Sequence, residues 1–308
     1  MKKLTLVFFL IFILLFSGCA SFSGGKSKTP EIDRTGEGLK VSFQVDEKWI
    51  SVRQLDYKLT LENSGVEPVV LKKENFLLKT DVKMQDSSSV IEQASLDNLY
   101  KTLFKDSDSV TIYHDQKISD VTGSLYIKDE FFKKRTQEKF QYVLSTKYDY
   151  KTTFSNNVQI DLKSSELLKV LDTQSQAAPV QVKKIELKRL PDEQYAVYYY
   201  LKDMGQLSDN QRSVKLKNIQ INFRTTTLSG CKGLVFKDGV YKEVGIEALV
   251  INADTPEVII ACKVDVSDIE KTSKMITTTF GSFEYSYNID IVKPITLPAK
   301  ISEQVVWQ

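Results

Sequence analysis

The sequence has a single histidine, His114, and only three cysteines among its 308 residues. A Ser-His-Asp triad, a Cys-His pair and a metalloprotease helix would each need that histidine, and neither a GxSxG nor an HExxH motif occurs. A zinc site would have too few His and Cys ligands, because Cys231 and Cys262 are better paired with each other. Acidic residues are plentiful, but nothing in the sequence positions two of them as glycoside hydrolysis requires. We therefore expect no enzymatic activity and no cofactor.

The chain also lacks an excess of charge of either sign, with 42 basic and 40 acidic residues. A balanced charge gives no electrostatic reason to expect a nucleic-acid partner or a polybasic membrane-binding surface. Apolar residues make up 42% of the chain, and tyrosine and phenylalanine together number 30. This composition predicts folded domains and excludes a disordered stalk.

A long hydrophobic run, Leu4–Phe16, follows two lysines at the N-terminus. The run is shorter than the roughly 20 residues that span a bilayer, and its length is typical of a signal peptide. The small residues Ser17 and Gly18 then precede Cys19. This arrangement resembles the lipobox of exported lipoproteins, which implies that residues 1–19 are a signal segment and that Cys19 becomes a lipidated N-terminus.

An uncleaved N-terminal helix that anchors the chain is the alternative to lipidation. Both alternatives place residues 20–308 outside the cytoplasm, so we expect an extracytoplasmic protein held at the outer face of a membrane. Residues 20–36 are rich in Ser, Gly and Lys without an apolar period, which predicts a flexible linker.

The two remaining cysteines are expected to pair if Cys19 carries lipid. Extracytoplasmic compartments permit disulfides, and a bond between Cys231 and Cys262 would stabilise the fold by roughly 3.5 kcal/mol. In the segment VIIACKV, Cys262 alternates with apolar residues, which places it on a core-facing side of a strand. Two buried free thiols are the alternative.

The rest of the chain is dominated by period-two alternation of apolar and polar residues. Typical examples are LKVSFQV and LDYKLTLENSG, which predict half-buried strands. Two short helices are predicted, at Ser95–Lys105 and Ser164–Gln174. We expect an all-β chain of two tandem antiparallel immunoglobulin-like β-sandwiches, at 37–177 and 178–298, followed by a tail at 299–308. A single large barrel is the alternative.

A weak internal repeat links the two halves. Tyr142–Leu162 and Lys274–Ile295 share an apolar start, a threonine, an aromatic pair and a closing alternation. Each segment is therefore predicted to form the last strands of one domain.

The segment LDYKLTLENSGVEPVVL resembles a strand–turn–strand unit of exported immunoglobulin-like domains of the CARDB type. Together with the lipobox and a second domain that contains two cysteines, the order of segments is similar to that of uncharacterised two-domain surface lipoproteins, particularly archaeal ones. This resemblance implies a β-sandwich fold and a surface role, and it carries no catalytic residues.

Two sets of residues are candidates for binding. Tyr198 and Tyr200 in QYAVYYYLK suit an interface or a stacked sugar, although core packing also explains them. Oxygen ligands for Ca²⁺ are available at Asp106, Asp108 and Asp115, but the glycine and closing glutamate of a calcium loop are missing, and a solvated loop is the alternative.

The sequence thus favours a membrane-anchored surface lipoprotein that acts as a non-catalytic binding or structural module of the cell envelope, with envelope proteins as partners. A calcium- or carbohydrate-binding adhesin is the second hypothesis. An extracytoplasmic hydrolase is the third.

Overall fold

The chain folds almost entirely into antiparallel β-strands, which confirms the all-β class. The computed structural model describes residues 38–46, 50, 53–134, 138–175, 177–204, 210–237, 239–267 and 274–298. These residues belong to one compact unit. The predicted signal segment with Cys19, the linker at 20–36 and the tail at 299–308 lie outside the described residues. Within the described part, neither helix has the length and apolar content needed to cross a bilayer.

Sixteen strands and two α-helices follow one another along the described chain. They are β1 Leu39–Val45, β2 Gln54–Asn63, β3 Val69–Lys72, β4 Phe76–Thr80, α1 Gln93–Phe104, β5 Ser109–Ile112, β6 Lys117–Tyr126, α2 Asp129–Lys134, β7 Lys139–Asp161, β8 Leu168–Ser175, β9 Val180–Arg189, β10 Tyr195–Asp203, β11 Asn210–Phe223, β12 Leu228–Lys237, β13 Val240–Val244, β14 Val250–Ile251, β15 Glu257–Val264 and β16 Lys274–Thr296.

Two very long strands, β7 and β16, form the centre of the fold. Each has 23 residues, and they pair antiparallel in an unbroken register from Lys139 opposite Thr296 to Asp161 opposite Lys274. At the usual rise per residue, each strand is about 75 Å long. Even-numbered residues of β7 and odd-numbered residues of β16 face the core, so the alternation in the sequence is used along both strands.

The strands belong to four sheets. The sheet that contains β7 and β16 has the order β14-β11-β16-β7-β4, and β8 pairs with the far half of β7. A five-stranded sheet has the order β13-β12-β15-β10-β9, and smaller sheets are formed by β1-β2-β6 and by β3-β5. Tyr199 of the five-stranded sheet contacts Thr279 of β16, with 2.6 Å between the hydroxyl oxygens. The two large sheets therefore pack face to face as a sandwich.

The structure differs from the predicted division into tandem domains at 37–177 and 178–298. Strands from both sides of that division share the central sheet, because β7 pairs with β16 over its whole length. The physical reason is the internal repeat itself. Two strands of equal length and equal alternation satisfy each other's main-chain groups better than either would inside a separate small sheet.

Two tyrosines in the middle of β7 anchor segments from the first part of the chain. The Tyr148 hydroxyl accepts a hydrogen bond from the Leu39 amide at 3.2 Å, and the Tyr150 hydroxyl accepts one from the Glu67 amide at 3.0 Å. Burial raises the pKa of Tyr150 to about 12, so its hydroxyl stays neutral. Gly65 lies so close to this ring that a Cβ would stand 2.1 Å from the Tyr150 oxygen, so the site requires glycine.

One of the two predicted helices is confirmed. α1 covers the predicted segment and buries Leu96, Leu99 and Leu103 on one side. The helix predicted at Ser164–Gln174 is wrong, because Leu168–Ser175 is the strand β8. Pairing with the unoccupied edge of β7 supplies main-chain hydrogen bonds that override a short helical pattern.

Candidate functional site

The two cysteines of the second half lie on neighbouring strands of the five-stranded sheet. Cys231 of β12 and Cys262 of β15 form a disulfide with 2.10 Å between the sulfur atoms. Cys262 is fully buried on the core face, as its alternation predicted, and Cys231 lies where the register between Ser229 and Lys232 shifts. The bond therefore joins β12 covalently to the centre of its sheet.

The two candidate tyrosines lie side by side on the outer face of the same sheet. In β10, Tyr195, Val197 and Tyr199 face the core, which leaves Tyr198 and Tyr200 pointing outward. Their positions opposite Glu186 and Lys184 of β9 are set by the antiparallel register. Tyr200 is nevertheless nearly buried, with 8% of its surface exposed, because its neighbours on the face cover it.

An ion cluster covers these tyrosines. Glu186 accepts hydrogen bonds from the Tyr200 hydroxyl at 2.5 Å and from the ammonium groups of Lys184 and Lys188, the latter at 3.3 Å. The same ammonium groups lie over the rings, Lys184 at 5.3 Å from the Tyr200 centroid and Lys188 at 4.7 Å from the Tyr198 centroid. Cation–π attraction and the shared carboxylate thus hold both lysines in place.

This arrangement determines which groups on the outer face of the sheet a ligand can contact. An ammonium group stands over a face of each tyrosine ring, so the stacking of a sugar on that side is blocked. The exposed groups are two oriented ammonium ions. Burial raises the pKa of Tyr200, and the adjacent Glu186 carboxylate raises it further, so the phenol remains a neutral donor.

The pKa of Glu186 gives the cluster a defined dependence on pH. Burial acts to raise this pKa, but hydrogen bonds from Lys184, Tyr200 and Lys188 prevail and lower it from 4.5 to about 2. A carboxylate with a depressed folded-state pKa stabilises the fold fully above its unfolded pKa, and this contribution is lost as the pH falls through the folded value. We expect the loss between about pH 4.5 and pH 2. The measurement is the free energy of unfolding against pH for wild type and Glu186→Gln. Below about pH 4.5, the free energy of unfolding should fall less steeply with decreasing pH in the variant than in the wild type. Parallel curves for the two proteins would contradict the role given to Glu186.

The edge of the five-stranded sheet next to this cluster is irregular. The register of β9 against β10 shifts between Tyr200 and Leu201, so that Lys183 is an extra residue without a partner position. A bulge of this kind re-aims side chains, and here it exposes two consecutive lysines, Lys183 and Lys184.

A cleft of about 580 Å³ lies along this edge, between the start of β8 and β9. It is lined by Ser165–Val170 and by Lys183–Lys188. We call these two segments, with Tyr198 and Tyr200, the β9 margin. Four lysines and two glutamates line the cleft: Lys169, Lys183, Lys184, Lys188, Glu166 and Glu186.

Two other depressions have no excess of cations. One, of about 700 Å³, is lined by Lys72, Lys73, Glu74 and Asp108 together with Tyr100. The other, of about 330 Å³, has internal ion pairs of Lys217 with Asp149 at 2.6 Å and of Lys151 with Glu284 at 3.9 Å. The β9 margin differs from both because its cations outnumber its anions.

The three candidate calcium ligands are not brought together. Asp106 and Asp108 precede β5 and Asp115 follows it, so a strand of four residues, about 13 Å long, separates them. The Asp108 carbonyl accepts a hydrogen bond from the Lys73 amide. The Asp115 carboxylate lies 3.2 Å from Nε2 of His114. Among the described residues, no three His, Cys, Asp or Glu side chains are placed to hold a metal ion.

The lysines and the glutamate of β9 are the residues that the sequence-based prediction missed. A signal was present, since Lys184, Glu186 and Lys188 alternate and must share one face of a strand. The doubled lysine in VKKIEL was also a sign of the bulge. What the sequence did not contain was the pairing of β9 with β10, which brings the lysines over the tyrosines.

Comparison with known proteins gives little similarity. No known protein family and no curated protein sequence matches the chain. Among solved structures, the envelope protein VP37 of White Spot Syndrome Virus shares 9% identity, with 44% of this chain and 98% of that chain covered and a TM-score of 0.22. The collagen-binding domain of the Erysipelothrix rhusiopathiae surface protein RspB also shares 9% identity, with 87% and 91% covered and a TM-score of 0.14. Similarities at this level carry no inference about this chain.

Proposed function

We propose that this protein is a non-catalytic binding module of the cell envelope, held at the outer face of a membrane by lipid on Cys19 or by a retained N-terminal helix. Its binding surface is the β9 margin, and its partners are envelope proteins. The observation that carries the proposal is the cleft at the side of the sandwich, with oriented lysines and more cations than anions.

Two features support an extracytoplasmic location. The Cys231–Cys262 bond is of a kind that persists in oxidising compartments and is rare in the cytosol. The hydrophobic run before Cys19 is typical of export. The adhesin hypothesis has less support, because the tyrosine rings carry ammonium groups and the three aspartates are separated.

Site-specific photocrosslinking in intact cells tests the binding surface. We place p-benzoylphenylalanine in place of Tyr198 in the β9 margin and, as a matched control, in place of Tyr113, which is 63% exposed next to β5. Adducts with envelope proteins are expected at position 198 and not at position 113. Equal adducts at both positions, or none at position 198, would contradict the proposal.

The anchor is tested separately by the intact mass of protein extracted from native membranes. A mass that begins at Cys19 with added lipid indicates the lipoprotein form, and a mass that begins at Met1 indicates a retained helix. The variant Cys19→Ser should remain unlipidated. Recovery of wild-type protein without lipid in the soluble fraction would contradict the membrane location.

A further inference from the structure

The β9 margin contains two sheet edges. β9 pairs with β10 on one side, and β8 pairs with β7 on one side, and neither has a second strand neighbour in the described part of the chain. Each edge therefore presents a row of main-chain N–H and C=O groups that no neighbouring strand occupies. Such edges are the templates on which an extended segment adds as a new strand.

The cleft between the two edges has an apolar floor. Ile185 and Leu187 from β9 and Leu168 from β8 are buried where the two sheets meet. Val170, also on the β8 side, keeps 36% of its surface exposed although it pairs with the buried Val158 of β7. An apolar side chain that enters the cleft can cover Val170, and this burial favours an occupant.

The rim of the cleft is cationic. Of the two carboxylates, Glu186 is already bonded to Lys184 and Lys188, so it is not available to Lys169 or Lys183. Burial lowers the pKa of Lys183, and the nearby positive charge of Lys202 lowers it further. A carboxylate brought next to Lys183 would relieve this repulsion between like charges.

We propose that the β9 margin binds an extended segment of a partner protein in which carboxylates alternate with apolar side chains, and that this segment pairs its main chain with β9 at Lys184–Lys188. The proposal rests on the proposed function and names its ligand class. In a strand, alternate side chains point to opposite sides, so apolar groups face the cleft floor while carboxylates meet the lysines.

A second copy of this chain is a poor occupant of the same edge. Antiparallel pairing of two β9 strands about Glu186 would bring Lys184 of one copy against Lys188 of the other and Glu186 against Glu186, and like charges on adjacent strands are destabilising. Lysines on edge strands commonly prevent such pairing. The same lysines would attract the carboxylates of an acidic strand, so an acidic strand is a better occupant of this edge than a second copy.

The test uses the full chain in detergent micelles and fluorescent heptapeptides, with binding followed by anisotropy. The probe alternates Glu and Val, and the control peptide alternates Ser and Val. We expect the Glu–Val peptide to bind at least tenfold more tightly than the Ser–Val peptide and to weaken as salt rises. No binding of the Glu–Val peptide at millimolar concentration would overturn the proposal.

Methylation of the peptide main chain separates strand pairing from charge attraction. Two further Glu–Val peptides carry N-methyl groups on alternate residues, one on the Glu positions and one on the Val positions. Because only alternate N–H groups of an added strand point to its neighbour, one methylated peptide should lose binding and the other should keep it. Equal binding of both would mean attraction by charge alone and would overturn strand pairing.

The location of the binding site is tested with the variant Lys169→Glu/Lys183→Glu. This variant reverses the charge at two positions of the β9 margin that lie outside the Glu186 cluster. This variant should bind the Glu–Val peptide at least tenfold more weakly, whereas Lys58→Glu/Lys101→Glu, on β2 and α1, should bind like wild type. Equal unfolding midpoints show that all three proteins are folded. Unchanged binding by the Lys169/Lys183 variant would overturn the site.

Hydrogen exchange identifies the occupied edge. The Glu–Val peptide should slow exchange at the β9 amides of residues 184–188. Protection of β9 that rises with protein concentration alone would assign the edge to a second copy and overturn the proposal. If position 198 forms crosslinks but the Glu–Val peptide does not bind, the proposed binding of envelope proteins is supported and the acidic-strand ligand is overturned.

Discussion

Replacing Tyr285 with Ala lowers the free energy of unfolding by about 3–5 kcal/mol, the range for removing a large aromatic side chain from a core. Tyr285 is fully buried at the centre of β16. Its hydroxyl lies 3.0 Å from the Thr152 hydroxyl and accepts the Val180 amide at 3.3 Å. Because the Thr152 hydroxyl donates to the Val180 carbonyl at 2.9 Å, Tyr285 must donate to Thr152, and the three groups close a cycle. The variant removes the ring and leaves a buried amide without a partner.

Two control variants separate the parts of this effect. Tyr285→Phe keeps the ring and removes the cycle of hydrogen bonds, so we expect a smaller loss of about 1–3 kcal/mol. Tyr113→Ala removes a tyrosine that is 63% exposed and should change stability by less than about 0.5 kcal/mol. The measurement is denaturant unfolding with linear extrapolation. A Tyr285→Ala protein as stable as Tyr113→Ala would contradict the central role of β7 and β16.

Alternation predicted most strands well because most of them have one face in the core. The first predicted strand, LKVSFQV, is β1, and the tyrosine-rich segment QYAVYYYLK forms β10. Alternation does not say which strands are neighbours. The repeat of Tyr142–Leu162 and Lys274–Ile295 was interpreted as the ends of two domains, whereas the two segments are partners in one sheet. Their pairing joins residues more than a hundred positions apart, and no local pattern encodes it.

The helix predicted at Ser164–Gln174 was wrong for the same reason, because a local pattern does not specify which strands are neighbours. Leu167, Leu168, Val170 and Leu171 are spaced closely enough to suit a helical face as well as a strand. A helix of that length is marginal by itself, and pairing with the edge of β7 decides the outcome. Tertiary pairing therefore determines that this segment is a strand and not a helix.

The candidate site was partly predictable. The outward direction of Tyr198 and Tyr200 follows from the inward direction of Tyr199, and the structure has this alternation. The environment of the tyrosines depends on β9, whose position beside β10 supplies Lys184, Glu186 and Lys188. The alternation therefore places both tyrosines on the face opposite Tyr199, whereas the lysines that cover them depend on a pairing that it does not predict.

Loss of the disulfide lowers the free energy of unfolding by about 3.5 kcal/mol in the chain-entropy model, the second large effect that we expect. Cys231 and Cys262 are 31 residues apart, and the bond closes a loop that contains β13 and β14. The measurement compares unfolding of the oxidised protein, the reduced protein and Cys231→Ser/Cys262→Ser. The last two should be destabilised by similar amounts.

The double variant also provides the control for the reductant. Reductant should leave the stability of Cys231→Ser/Cys262→Ser unchanged, because no bond remains to be reduced. The effect of reduction should be concentrated in the five-stranded sheet, since the bond joins β12 to β15, and hydrogen exchange should accelerate there before it does in β7 and β16. If reduction of the wild-type protein leaves the free energy of unfolding unchanged, the bond does not contribute to stability and the expected loss of about 3.5 kcal/mol is wrong.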